Sequence, residues 1–144
     1  MVSSKLLAII RRIIMDYKAI LDNATSQASD FINNPARMDQ LLLDLEAKLK
    51  QIPAIGETVS ELPVMVSMVK SWIKKEYQVS PKVLATMVGA FVYLVKKKDL
   101  IPDNVPIIGI ADDVAVLGLA LKFVESDVKA YKEFTAEKGD IIEA

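Results

Sequence analysis

The spacing of apolar residues along the chain predicts helices and no sheet. Apolar side chains recur at steps of three and four positions over long stretches, which is the period of a helix with one buried face. No stretch alternates between apolar and polar residues with period two over a useful length. The pattern therefore predicts an all-α, single-domain bundle of about five helices.

The first predicted helix is amphipathic and basic. Its apolar face comprises Leu6, Leu7, Ile10, Ile13, Ile14, Tyr17 and Leu21. Its cations, which fall mostly on the opposite side, are Lys5, Arg11, Arg12 and Lys18. We expect such a helix to dock on its own bundle, and the alternative is that it rests on an anionic membrane surface. The polar residues 22–30 predict fraying or a break after it.

Capping signals and apolar stripes mark four further helices. Asn34-Pro35 and Ser80-Pro81 each combine a capping side chain with proline at the first helical position. Another helix begins at Ser60-Glu61, and the last runs from about Ala111 to Phe134. The predicted apolar side of the helix after Ser60 comprises Met65, Met68, Val69, Trp72, Ile73 and Tyr77.

The helix that follows Ser80 is predicted to be central, because it is apolar nearly all round from Val83 to Val95. Ala85 and Gly89 within it are small enough for a neighbouring backbone to come close. The predicted bundle divides into an N-terminal helical hairpin (residues 1–57) packed on a core (residues 58–136), followed by a tail (residues 137–144).

Composition excludes several classes of chemistry. The 144 residues contain no cysteine and no histidine, so disulfides, thiolate nucleophiles, histidine-based triads and Cys- or His-ligated metals are impossible. A net charge of −1 gives no general attraction to nucleic acid, so no nucleic-acid partner is predicted. No window of about 18 residues is free of charge, which argues against a membrane span. We predict a cytoplasmic protein, with the inner face of the membrane as the alternative location.

One segment between two strongly apolar helices differs in kind from the rest. Residues 98–113 read KDLIPDNVPIIGIADD. This stretch closely resembles the signature of the YkvA-like family of bacterial domains of unknown function, D-L-I-P-D-x-x-P-x-x-G-x-x-D-D. The positions of the signature are occupied by Asp99, Pro102, Asp103, Pro106, Gly109, Asp112 and Asp113. Lys96–Lys98 depart from the family, which often has Ser-Pro-Ile or Asn-Pro-Ile there.

The resemblance covers about residues 60–135. It implies a small helical domain, often described as membrane-associated and without an assigned activity. It supplies no catalytic residues, and none are predicted.

Two interpretations of the acidic segment stay open. In the first, Pro102 and Pro106 stiffen a corner, and Asp112 and Asp113 cap the start of the last helix. In the second, Asp99, Asp103, Asp112 and Asp113 converge on a hard cation such as Mg²⁺ or Ca²⁺, which prefers oxygen ligands. We favour the first, with no cofactor.

Three functions follow in order of preference. The first is a non-enzymatic helical interaction module that binds a protein partner or self-associates through the faces of its first two helices. The second is a peripheral membrane protein. The third is a carboxylate-based protein or enzyme that binds a divalent metal.

Overall fold

The computed structural model describes residues 4–50, 61–100 and 110–137, and within these it gives only the backbone of residues 97–100 and 110–114. Within these ranges the chain forms helices and no strand. The helices are α1 (Ser4–Ser26), α2 (Ser29–Ile32), α3 (Pro35–Leu49), α4 (Leu62–Ile73), α5 (Pro81–Leu100) and α6 (Ile110–Glu137). Five of them have twelve or more residues. The all-α bundle predicted from the sequence is confirmed.

Helix α5 is the centre of the bundle. It packs against α1, α3 and α6, and less extensively against α2 and α4. Its buried apolar side chains are Val83, Leu84, Met87, Val88, Ala90, Phe91, Val92, Tyr93 and Leu94. A helix that is apolar around its whole circumference is stable only where neighbours cover every side, and α5 has such neighbours.

The predicted capping signals function as expected. The Oδ1 atom of Asn34 accepts a hydrogen bond from the backbone N–H of Arg37 at 3.2 Å, which caps α3. The Oγ atom of Ser80 accepts one from the backbone N–H of Val83 at 3.4 Å at the start of α5. Each bond satisfies a donor that the first helical turn leaves without an intrahelical partner.

Helix α4 is shorter than its apolar pattern predicts. It ends at Ile73, and Lys75 adopts a left-handed conformation with φ of 61°. The backbone N–H of Glu76 then donates to the carbonyl of Ser71 at 2.9 Å, which closes the end of the helix. The predicted helical face through Ile73 and Tyr77 is therefore wrong: Ile73 is 39 % exposed, and Tyr77 lies beyond the helix.

The division of the chain into a hairpin (residues 1–57) and a core (residues 58–136) stays a prediction. Helices α1 and α3 both pack against α5. Residues 51–60 and the end of the predicted tail, residues 138–144, lie outside the described residues.

Candidate interaction surface

The acidic signature lies mostly outside the described residues. Pro102, Asp103, Pro106 and Gly109 belong to the range 101–109, and Asp99 lies in the last turn of α5 with its side chain undescribed. Helix α6 begins at Ile110, so the backbone of Asp112 and Asp113 lies in its first turn, as predicted.

The convergence of the four carboxylates stays a prediction. Among the residues whose side chains are described, no group of three or more Asp or Glu is placed to hold a metal ion.

Helix α5 is distorted at the start of the lysine run. Lys96 has φ of −117° and ψ of 30°, which is outside the helical range. Its ammonium group lies 5.2 Å from the centre of the Phe31 ring, and the guanidinium of Arg37 lies 4.6 Å from the same centre. Phe31 is buried in α2, so this cation–π pair links α2, α3 and the end of α5.

The most unusual surface of the molecule is the N-terminal half of α1. Every residue from Ser4 to Asp16 is exposed. We call this part the α1 overhang (residues 4–16). Six of its large apolar side chains are between 41 % and 50 % exposed: Leu6, Leu7, Ile9, Ile10, Ile13 and Ile14. These six residues form what we call the α1 stripe, and contiguous apolar surface of this kind marks interaction sites.

The same face of α1 is buried farther along the helix. Ile20, Leu21 and Ala24 belong to the core. Because residues three, four and seven positions apart share one side of a helix, these residues continue the line of the α1 stripe. The prediction that α1 docks on its own bundle is therefore right for the second half of the helix and wrong for the overhang.

Cations border the α1 stripe. Arg11 and Lys18 are seven positions apart and lie along one edge of it, while Arg12 lies on the far side of the helix. Asp16 is the only carboxylate among residues 4–18, against four cations. Lys18 also makes an exposed ion pair with Asp22 at 3.8 Å. The overhang is thus a cationic amphipathic helix on a protein whose overall charge is slightly negative.

A hydroxyl cluster, which the sequence analysis missed, joins α4 to α6. The Tyr131 hydroxyl lies 2.7 Å from Ser67 Oγ and 2.8 Å from Ser71 Oγ. The two serines are four positions apart and so face the same side of α4. That spacing was the available signal, but it does not identify the tyrosine 60 residues away.

Tyr77, which follows the end of α4, packs against the bundle beside this cluster. Its ring packs edge-on against Tyr131 at 4.9 Å and lies 4.7 Å from Phe134. Burial raises the pKa of Tyr77 above its usual value of 10.0, and repulsion from Asp127 and Tyr131 adds to the effect. These aromatic contacts and the hydroxyl cluster hold the α4 end against α6, which is a structural role.

The chain is similar to a protein family and to a bacterial protein whose names state no biochemical activity. Residues 83–119 match the family described as "Protein of unknown function (DUF1232)". The chain is also similar to the "Uncharacterized membrane protein YkvA" of Bacillus subtilis, with 29 % identity over 77 residues, or 53 % of this chain and 73 % of that protein. No solved structure matches this chain.

None of the helices in the described part of the chain is both long and apolar enough to cross a membrane. This finding does not conflict with the name of the relative, because a protein can associate with a membrane without crossing it. The match at residues 83–119 covers most of the central helix α5 and the beginning of α6. Both similarities support the YkvA-like resemblance that the sequence indicated: residues 83–119 match the DUF1232 family, and 77 residues are similar to YkvA.

Proposed function

We propose that this chain is a non-enzymatic helical interaction module that attaches to an anionic membrane surface through the α1 overhang. The bundle stays in water, and α1 lies in the plane of the interface with its apolar stripe among the lipids. We place the protein at the inner face of the cytoplasmic membrane, where anionic headgroups attract basic segments.

The exposed α1 stripe is the observation that carries this proposal. Six large aliphatic side chains stay about half exposed, although the same face of the helix is buried from Ile20 onward. Burying one such side chain fully contributes about 1.5–3 kcal/mol, so covering the exposed half of all six contributes roughly 5–9 kcal/mol. That gain favours attachment of α1 to an apolar environment.

The basic residues around the stripe favour a lipid surface. Each Lys or Arg close to an anionic membrane adds about 1 kcal/mol of attraction. The overhang and the residues just after it hold four cations and one carboxylate. A short amphipathic helix with cations on its polar face is typical of interfacial binding. The similarity to a protein named as a membrane protein agrees with this proposal.

Co-sedimentation with lipid vesicles tests the proposal. The full chain is mixed with vesicles of phosphatidylcholine alone or with one third phosphatidylglycerol, and bound protein is measured across a range of salt concentrations. We expect binding to the anionic vesicles that weakens as salt rises, since exposed charges are screened. An unchanged soluble fraction with both vesicles would reject the proposal.

A matched pair of variants locates the binding face. Ile10→Glu places a charge in the middle of the α1 stripe, whereas Met15→Glu places it on the far side of the same helix, where Met15 is already 67 % exposed. We expect Ile10→Glu to weaken vesicle binding about tenfold or more, because a charge would enter the lipid boundary. We expect Met15→Glu to weaken binding only slightly, because it adds a negative charge to the helix without changing the α1 stripe. Equal losses in both variants would mean that electrostatics alone, and not the stripe, attaches the protein.

A further inference from the structure

Helices α3 and α4 both border an open groove, which we call the α3/α4 groove. One cavity of about 360 Å³ within it is lined by residues of both helices, among them Asp39, Leu42, Leu43, Glu46, Lys70 and Ile73. A second cavity of about 360 Å³ adjoins it and shares Asp39 and Ile73. The groove therefore extends along both helices.

The groove has apolar surface that the described chain does not cover. Leu43 of α3 is 61 % exposed, and Ile73 of α4, on the facing wall, is also exposed. Leu42 lines the groove between them and is buried. An apolar floor between two helices is the usual receptor for the apolar face of a third helix.

The two walls of the groove carry opposite charge. Asp39 and Glu46 lie on the α3 wall, seven positions apart, and Lys70 and Lys74 lie on the α4 wall. One ion pair, between Lys70 and Glu46, joins the walls. A helix that fits this groove has an apolar face and a basic edge toward α3.

The α1 overhang has this arrangement. Arg11 and Lys18, which follows two residues after the overhang, form a basic edge at the same spacing of seven positions as the two acids of the α3 wall. The other edge of the stripe carries Lys5 as well as Asp16. Its thirteen residues span roughly 20 Å, which is close to the length of α3 and α4 at about 1.5 Å per residue. The overhang thus matches the groove in length and apolar surface, and its basic edge matches the acidic α3 wall in charge.

The groove of the same molecule does not cover the overhang. The overhang stays exposed in the folded chain, and the second half of α1 is packed against α5 and α6. The groove of a second molecule is not held in place by this packing and can therefore reach the overhang.

We infer that the α3/α4 groove binds the α1 overhang of a second copy of this chain. In such a dimer the α1 stripe of each molecule lies in the α3/α4 groove of the other. This arrangement has twofold symmetry, and it occupies both stripes and both grooves. The inference does not rest on the membrane proposal, because it concerns the protein in the absence of lipid. Since both use the α1 stripe, a molecule whose overhang is in a groove is not bound to a membrane.

Sedimentation velocity of the full chain without lipid tests the dimer. We expect a dimer that dissociates on dilution, and a dissociation constant at least about tenfold higher in Ile10→Glu and in Leu43→Glu, since a charge at the centre of an apolar interface is poorly tolerated. The matched controls are Met15→Glu on α1 and Ala47→Glu, an exposed position of α3 outside the groove lining. Circular dichroism confirms that each variant is folded. A strict monomer at all concentrations overturns the inference.

Disulfide cross-linking identifies the surfaces, because the chain has no cysteine of its own. Ile10→Cys and Leu43→Cys variants are mixed and oxidised. We expect the mixture to form a cross-linked dimer faster than either variant alone and faster than a mixture of Met15→Cys with Leu43→Cys. If Ile10→Cys alone cross-links fastest, the dimer pairs two α1 helices, and the groove is not the receptor. Vesicle binding by a protein that is monomeric in solution would leave the membrane proposal standing and overturn this one.

Discussion

Gly89 of α5 lies directly against the main chain of Thr25 in α1. A Cβ atom at position 89 would come within 2.7 Å of Thr25 Cα and 2.8 Å of its backbone nitrogen. Because the atoms in the way belong to the backbone, the two helices would have to separate to admit a side chain. The close approach predicted for Gly89 is confirmed, and it fixes the position of α1 on the bundle.

Gly89→Ala is expected to destabilise the protein by about 1–3 kcal/mol, as overpacking of a tight core does. Gly118→Ala in α6 is the matched control, because an added Cβ there meets nothing within 4 Å. Replacing a helical glycine by alanine without a clash stabilises by about 0.5–1 kcal/mol. In urea unfolding, the free energy of unfolding should therefore fall in Gly89→Ala and rise in Gly118→Ala. A gain in both variants would contradict the close contact.

Lys75→Gly is expected to stabilise the protein by about 1 kcal/mol, since only glycine adopts left-handed φ without steric cost. Lys75 has φ of 61° just after α4. Lys74→Gly is the matched control: Lys74 has φ of −78°, so glycine there brings flexibility without relieving strain. Thermal unfolding should give a higher midpoint for Lys75→Gly alone. The same response at both positions would exclude relief of strain at Lys75.

Tyr131→Phe is expected to destabilise the protein by about 1–2 kcal/mol, because it removes the hydroxyl that bonds to Ser67 and Ser71. A double-mutant cycle with Ser67→Ala and Ser71→Ala separates this effect from packing of the ring. The loss on Tyr131→Phe should shrink when both serines are already replaced. Additive losses in the triple variant would mean that the hydroxyls do not act together.

Stability is expected to fall as the pH rises above about 10, in part through Tyr77. Its pKa is higher in the folded than in the unfolded chain, so the unfolded state loses its proton first. The contribution of Tyr77 is complete below the unfolded pKa and disappears as the pH passes the folded pKa. Tyr77→Phe should make the alkaline loss of stability less steep.

Tyrosinate absorbance in the ultraviolet reports all four tyrosines of the chain, so the difference between the native chain and Tyr77→Phe isolates the titration of Tyr77. Asp127→Asn removes one source of repulsion and should lower the pKa of Tyr77 toward its usual value. A titration curve that is unchanged in Asp127→Asn would show that Asp127 does not contribute to the raised pKa of Tyr77.

Asp112→Asn and Asp113→Asn are each expected to destabilise the protein by about 0.5–1 kcal/mol. Both residues lie in the first turn of α6, where a negative charge interacts favourably with the helix dipole. Adding Mg²⁺ or Ca²⁺ distinguishes the two interpretations of the acidic signature. A cation site predicts heat in calorimetry and a higher melting temperature for the native chain but not for the variants. The capping interpretation predicts neither.

Local signals in the sequence were sufficient for most of the helices. The caps at Asn34 and Ser80 and the unbroken apolar run from Val83 to Val95 predicted the starts of α3 and α5 and the central position of α5, because hydrogen bonding and burial over a few turns decide these features. The exposed state of the overhang was not predictable in this way. The helical periodicity of Leu6 and Ile10 is the same whether the face meets its own bundle, a lipid or another molecule.

Non-local geometry accounts for the other errors. The end of α4 depends on the conformation of Lys75, and no residue type there signals a left-handed turn. The contact of Tyr131 with Ser67 depends on how α4 and α6 pack, and the spacing of residues along either helix does not determine that.

Helix α1 is continuous from Ser4 to Ser26, so the overhang and the core-packed residues belong to the same hydrogen-bonded helix. Helix ends open first, and the opening spreads inward toward residues such as Ile20. Whatever covers the overhang therefore also delays the opening of the segment that holds α1 in the bundle. Amide hydrogen exchange at Ile20 and Leu21 thus reports whether the overhang, several turns away, is covered.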